Sequence, residues 1–507
     1  MVNDAWHWCN VLVFRLGDQA SLHPADLKTR RVDNDDAPLR FSDLKAFAVS
    51  GVNIGYGYIS TWDGGAVCYD TCFFRVIKYQ LALLNIALTL VLKESEALIV
   101  SSFIFVDWSL FASENIRTGD CILKVPYSVE ITPDNLLPKI RAILSDKIGT
   151  VSKLAIILLV ERKMGQSSGW APYICCLPQH GEIHSTIFWS EYELNMICQS
   201  SVYQETVNQK AKIEKDFAAV VPALQQFPDL ESITLQDFMC AYFSVTSRAW
   251  ESTKGLSLIP FTDFMNHDGG SKSIVLFDDD KMFSEVIADR NYAPGEEVLI
   301  NYGKFPNAML LLDFGFTLPY NIHDQVQIQL SIPHDDNLRE MKLELLQHLT
   351  PKIKDAVGFN CPEDTFIIKE VRSPRGKGKG LPQALRAFAR LLCCNSSQEL
   401  SDLALEAAQI DGRLARRPLK DSRREFKAHK MLSSHITQLM HKYDTAIKSL
   451  PLNSPSMSNT FTLRRQMAHD LLTGELRVLK SASMWLNNYC AALKSTSNCW
   501  SQWKNRI

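Results

Sequence analysis

The chain has 507 residues, enough for about two to four domains with separate cores, so a single-core reading is set aside. Its 54 basic and 56 acidic residues leave a formal net charge of -2, so no global field draws it to nucleic acid or to an anionic membrane, and partners must be argued from local sites. The 13 cysteines form neither a secreted disulfide framework nor a paired zinc pattern, which points to a reducing compartment; Cys68 and Cys72 come closest to ligand spacing but read as free thiols.

The N-terminus lacks a basic stretch followed by an apolar core, so no secretory signal is expected, and no basic transit peptide is evident. The apolar run from Tyr79 to Leu92 is too short to span a bilayer and closes on Lys93, Glu94 and Glu96; with the run from Ala97 to Val106 it is read as buried, and no membrane role is expected. Residues 1–105 carry no sustained period and receive no function. From Leu110 the texture changes to short strands around a turn at Thr118-Gly119-Asp120, and the poor alternation over Cys121 to Val125 predicts a strand buried on both faces.

Thr150 to Lys163 has a broad apolar surface and predicts a core helix. Ser190 followed by Glu193, and Thr234 followed by Asp237, are capping-box signatures for two further helices, the second running toward Arg248. Leu258 to Tyr302 turns to strands (IVLF, MFSEVIA, EVLINYG) separated by Asp278-Asp279-Asp280 and Pro294-Gly295. After Asn321 the pattern is helical, with candidates at 337–349, 382–394, 399–410, 424–449 and 460–493. The basic loop RSPRGKGKG at 372–380 is read as solvated and mobile, and its lack of aromatic residues argues against nucleic-acid binding.

The segments RAWESTKGLSLIPFTDFMNHDGG and YAPGEEVLINYGKFPNAMLLLDFGF carry the chemistry. Through Asp263, Asn266-His267, the GEE turn, Asn301-Tyr302-Gly303, Asn307-Ala308 and Asp313 to Phe316, the chain resembles the SET-domain methyltransferases of the Rubisco large-subunit and actin-histidine methyltransferase subfamily. The likeness extends through LFASENIRTGDCILKVPYSVEIT, through Trp170, Pro172, Tyr173, Leu177 and Pro178, and to AHDLLTGELRVLKSASMWL near the end. It implies an α+β fold: a SET-domain β-fold at 106–320 with a helical insertion at about 150–255 and a knot-like C-terminal tuck, then an all-α substrate-binding domain at 321–507, with residues 1–105 outside it.

The resemblance also implies S-adenosyl-L-methionine as cofactor and transfer of a methyl group to a folded non-histone protein by a monomer inside the cell, in cytosol, nucleus or plastid; lysine is the family's commoner acceptor and histidine stays open, while the lack of cysteine or histidine partners near His267 argues against a metal. Tyr302 falls at the catalytic position, where a phenol can polarise the reacting centre and favour an uncharged amine; a core tyrosine is the alternative. Asn266 and His267 match the cofactor-binding pair, and Arg248 the arginine that meets the cofactor carboxylate. Asp263, Phe314, Gly315 and Phe316 would complete the pocket, although the phenylalanines would also serve as core and Gly315 as a helix C-cap. Where the family opens with a G-x-G turn, this chain has Asp107-Trp108-Ser109. That departure suggests a substituted N-terminal segment and keeps a second reading open, an inactive SET-like protein that binds a protein partner.

Overall fold

The computed structural model describes residues 103–504 except 107–108, 113–114, 145–147, 229, 231, 350–364, 410–416 and 452–457. The Cys68–Cys72 pair, the apolar run at 79–92 and Asp107-Trp108 therefore lie outside the described residues.

Four small sheets form the N-terminal part of the described chain. Strands β1 (Phe103–Val106) and β2 (Ser109–Ala112) make a hairpin, and β3 (Cys121–Pro126) joins the edge of a later pair. Ile122, Leu123 and Val125 on β3 are all buried, and a register shift between Cys121 and Leu123 turns successive side chains inward, which explains the poor alternation. The helices α1 (Thr150–Met164), α2 (Ser201–Leu224) and α3 (Leu235–Thr246) follow. Every residue from Leu154 to Val160 is buried, so α1 is the core helix its composition predicts. Both capping boxes are present: Glu193 Oε2 accepts from the Ser190 backbone N–H at 2.8 Å, and Asp237 Oδ2 from that of Thr234 at 2.9 Å. The Ser190 helix is only one turn long, Glu191–Asn195.

The chain then returns to β4 (Ala249–Ser252), β5 (Gly255–Leu258), β6 (Asn266–His267), β7 (Val275–Asp278), β8 (Phe283–Ile287) and β9 (Leu299–Ile300). β8 lies between β3 and β7, β4 pairs with β5, and β6 pairs with β9 in parallel. The strand expected to run to Gly303 ends at Ile300, and Asn301 to Gly303 form an irregular segment held by side-chain hydrogen bonds. Leu310–Phe314 is one π-helical turn that closes on Gly315 in the left-handed region, φ 80°.

The remainder contains α4 (Arg339–Leu349), α5 (Gln383–Leu392), α6 (Ser397–Ala408), α7 (Ser422–Lys448) and α8 (Asn459–Lys504), close to the predicted helices. It is not purely helical: β10 (Gln325–Gln329) and β11 (Thr365–Lys369) form an antiparallel pair, and alternate residues Val326, Ile328, Phe366 and Ile368 are buried. Two short strands that pair across such a separation carry no local turn signal, so the helical reading missed them. Among the described residues no helix is long and apolar enough to cross a membrane.

Candidate functional site

The parallel β6–β9 contact brings two distant segments together. Asp268 N–H donates to the Ile300 carbonyl at 3.0 Å, and Asn301 N–H to Ser273 at 2.8 Å. This places Tyr302 beside His267: the Tyr302 backbone N–H donates to His267 Nδ1 at 3.1 Å, which leaves the imidazole proton on Nε2. Burial lowers the His267 pKa, so the ring is neutral near pH 7. The Tyr302 hydroxyl donates to the Met265 carbonyl at 2.7 Å. Burial pushes that phenol up, opposed by the Arg248 charge and reinforced by Asp263 and Glu297, so it stays a protonated donor.

Aromatic rings surround this pair. Phe314 stacks on Tyr302 with centroids 5.3 Å apart, Trp250 meets Tyr302 edge-on at 6.1 Å, and Phe316 lies 6.2 Å from the His267 ring. Gly315 lets the wall close, since a Cβ there would sit 3.0 Å from the Ser185 backbone nitrogen and 3.4 Å from the Phe243 ring. It therefore has a packing role as well as the expected C-cap role. Asp263 has a fully buried side chain, its Oδ2 3.4 Å from Arg248 Nε and accepting from the Tyr173 hydroxyl at 2.9 Å. Burial raises its pKa to about 6 against the pull of Arg248 and Tyr173.

Tyr302, His267, Phe314, Phe316, Arg248 and Asp263 thus share one locality, with Gly315 behind it. Asn266 is adjacent in the chain and has an exposed side chain with partners of its own. Its Nδ2 donates to Ser109 Oγ at 2.8 Å and to Glu297 Oε1 at 2.9 Å, which ties the β1–β2 hairpin to the site. Sequence reasoning missed Trp250 and Tyr173 as site residues. Trp250 lies two positions beyond Arg248, on β4, and that closeness to a chosen arginine was the available signal; Tyr173 is distant in the chain and carried none. Trp250 Nε1 and Asp263 Oδ1 are buried with no hydrogen-bond partner among the described residues, leaving one donor and one acceptor for a ligand. No cluster of three or more metal-type ligands occurs among the described residues.

Comparison with known proteins agrees with the fold. Residues 107–303 match the SET domain model and residues 333–479 the Rubisco LSMT substrate-binding model. The actin-histidine N-methyltransferase of Mus musculus is 26% identical over 400 residues, covering 74% of this chain and 63% of that protein. The chloroplastic ribulose-1,5-bisphosphate carboxylase/oxygenase large subunit N-methyltransferase of Pisum sativum is 31% identical over 264 residues, covering 47% and 51%. The chain thus spans about half to just under two thirds of the length of these curated relatives. A solved structure of the SET domain of LSMT bound to lysine and AdoHcy superposes with a TM-score of 0.60 at 22% identity, covering 82% of this chain and 93% of that one. A structure of Rubisco LSMT bound to AdoMet gives 0.58 at 21%, with the same coverage. At such identity these two comparisons speak to the fold. The chain therefore carries a SET domain at 107–303 followed by a Rubisco LSMT substrate-binding domain at 333–479.

Proposed function

We propose that this chain is a protein-lysine N-methyltransferase that uses S-adenosyl-L-methionine and acts on a folded non-histone protein. The observation that carries the reading is the Tyr302 phenol, held protonated inside an aromatic enclosure beside a neutral histidine and an ion pair of half-buried Arg248 with buried Asp263. The cofactor, when bound, supplies an electrophilic methyl group on a sulfonium. The donor set fits it. Arg248 offers a planar multi-donor group to a carboxylate, and Trp250 Nε1 and Asp263 Oδ1 are buried polar atoms in want of partners. Asn266, His267, Phe314, Gly315 and Phe316 would complete the binding surface.

The chain's own contribution is orientation and desolvation. Aromatic walls lower the local polarity, which disfavours an ammonium relative to the neutral amine that can attack. Trp250 and Phe314 flank Tyr302 with apolar rings suited to a lysine's alkyl stem. Tyr302 aims its hydroxyl at the Met265 carbonyl, and a second acceptor could share that donor. The relatives are named for action on actin and on Rubisco, which supports a folded protein as the partner. We extend the assignment to the domain limits 106–320 and 321–507, and place the protein in an intracellular compartment.

One observation favours the second reading, an inactive partner-binding protein: the Asn266 amide donors are committed to Ser109 and Glu297. Calorimetric titration with S-adenosylmethionine, paired with labelled methyl transfer to a total protein extract, separates the two. Saturable binding and transfer, with transfer reduced about 100-fold or more in Tyr302→Phe, is the expected result. Folded protein that binds no cofactor would favour the second reading, and a fully active Tyr302→Phe variant would remove the role given to that residue.

A further inference from the structure

The basic loop at 372–380 is built rather than loose. Trp485 Nε1 on α8 donates to the Gly376 carbonyl at 2.8 Å, and Asn488 Nδ2 to that of Pro374 at 3.3 Å. The loop's two ends are held as well: Val371 N–H donates to Ser481 Oγ at 2.9 Å, and Lys369 N–H to the Gly380 carbonyl at 2.8 Å. Gly378, at φ 69°, lies against the Trp485 ring, where a Cβ would come within 2.7 Å of the indole. The expectation of a mobile loop is therefore corrected: its backbone is pinned along its length while its side chains stay out.

Arg372, Arg375, Lys377 and Lys379 are all exposed, and none forms an ion pair with another described residue. Exposed Lys369 and Lys304 extend the charge, and Lys304 is two residues from Tyr302. The segment Asn321–Gln325 links the two ends of this strip: Asn321 Nδ2 donates to the Phe305 carbonyl, next to Lys304, at 2.9 Å, and Gln325 pairs with Lys369 across β10–β11; between them, burial and then the charges of Lys304, Arg372 and Lys369 lower the His323 pKa. Two of the acids close by are already engaged, since Arg477 holds Asp324 at 3.2 Å and Glu370 at 3.7 Å, while Asp268 lies at the His267 end. Positive charge thus runs from the reaction centre to a preformed loop without neutralisation by the two engaged carboxylates.

We propose that this strip binds an acidic stretch of the protein substrate flanking the methylated residue. The inference rests on the proposed reading of Tyr302 as the reaction centre, because that is what makes the strip a neighbour of the acceptor. Pinned backbone means that little loop entropy is lost on docking, and like-signed cations along one path select glutamate- or aspartate-rich chain. Nucleic acid is the less favoured occupant, because the loop offers no aromatic ring for base stacking.

Fluorescence anisotropy tests the proposal with three probes on the full chain, without cofactor. The first is a labelled peptide with one central lysine flanked by glutamates, the second has glutamines in their place, and the third is a single-stranded RNA of similar length. The glutamate peptide is expected to bind about tenfold more tightly than the glutamine peptide, from four contacts of a few tenths of a kcal/mol each. That advantage should vanish at roughly 0.5 M salt and in a chain carrying R372Q, R375Q, K377Q and K379Q together, whose melting temperature should stay within about 2 °C because all four side chains are exposed. Equal binding of the two peptides, or a preference that survives neutralisation, would overturn the proposal. RNA bound more tightly than the glutamate peptide, and released by the same four substitutions, would overturn it in favour of nucleic acid. Because no turnover is read, a negative result here is distinct from a failure of cofactor binding in the titration above.

Discussion

Ser109 stands at the opening turn, where the resemblance leads one to expect glycine, and its hydroxyl accepts from the Asn266 amide at 2.8 Å. Two effects follow from that one side chain. It adds a Cβ and an oxygen beside the site, and it satisfies an amide donor that a ligand would otherwise meet. Ser109→Gly should therefore raise S-adenosylmethionine affinity by about three- to tenfold, roughly one modest hydrogen bond, in the same calorimetric titration. Unchanged or weaker binding would mean that the Ser109 contact does not compete with the cofactor. At this scale Asn266, His267 and Tyr302 were legible because they sit in short ordered motifs. Trp250 was not, since its value depends on which way β4 turns it, and that is set by pairing with β5.

Among the elements, α8 gives the sharpest case of a local rule reversed by packing. Gly474 lies in the helix interior, where replacement by alanine ordinarily stabilises by about 1 kcal/mol. Here a Cβ would fall on the Asp324 carboxylate, which accepts from Asn307 N–H at 3.1 Å and from Arg477 at 3.2 Å. Gly474→Ala is expected to destabilise by about 1–3 kcal/mol in urea unfolding, and a gain in stability would show that the loop at Asn321–Asp324 yields freely. Helix starts such as Thr234–Asp237 were readable because a capping box is complete within four residues. The β10–β11 pair and the pinning of the basic loop were not, since each depends on contacts made far along the chain: Trp485 lies 109 residues beyond the Gly376 it holds.

Across the molecule, several buried carboxyls hold protons that an unfolded chain would release. Glu475 on α8 accepts from Ser200 Oγ at 2.8 Å, faces Tyr443 of α7 and Asp324, and is pushed by burial to about 8. Burial similarly lifts Asp313 to about 7. Both lie above their unfolded values near 4, so the native state binds more protons and stability must fall as pH rises between them. The lowered histidines act in the opposite direction, but only below about pH 6.5, where the unfolded imidazole takes up its proton. Between about pH 6.5 and 8 the carboxyls dominate, and midpoint denaturant concentration should decline across that window. Glu475→Gln, which keeps an acceptor without a titrating proton, should flatten the upper part of the decline; an unchanged slope would assign it elsewhere.

The same helix that carries Glu475 spans residues 459–504, roughly 70 Å of continuous backbone. Along it, Arg464 clasps Glu193, Glu475 meets Ser200, Arg477 takes Asp324, Trp485 fixes the basic loop and Tyr489 reaches Glu425. Everything it fastens precedes it in the order of synthesis. A nascent chain paused before residue 459 would hold the SET segments with Glu193 lacking its arginine and the loop lacking its tryptophan. Completion of the fold thus waits on this helix, and the interval before it forms is when a chaperone would find the most exposed interior to cover.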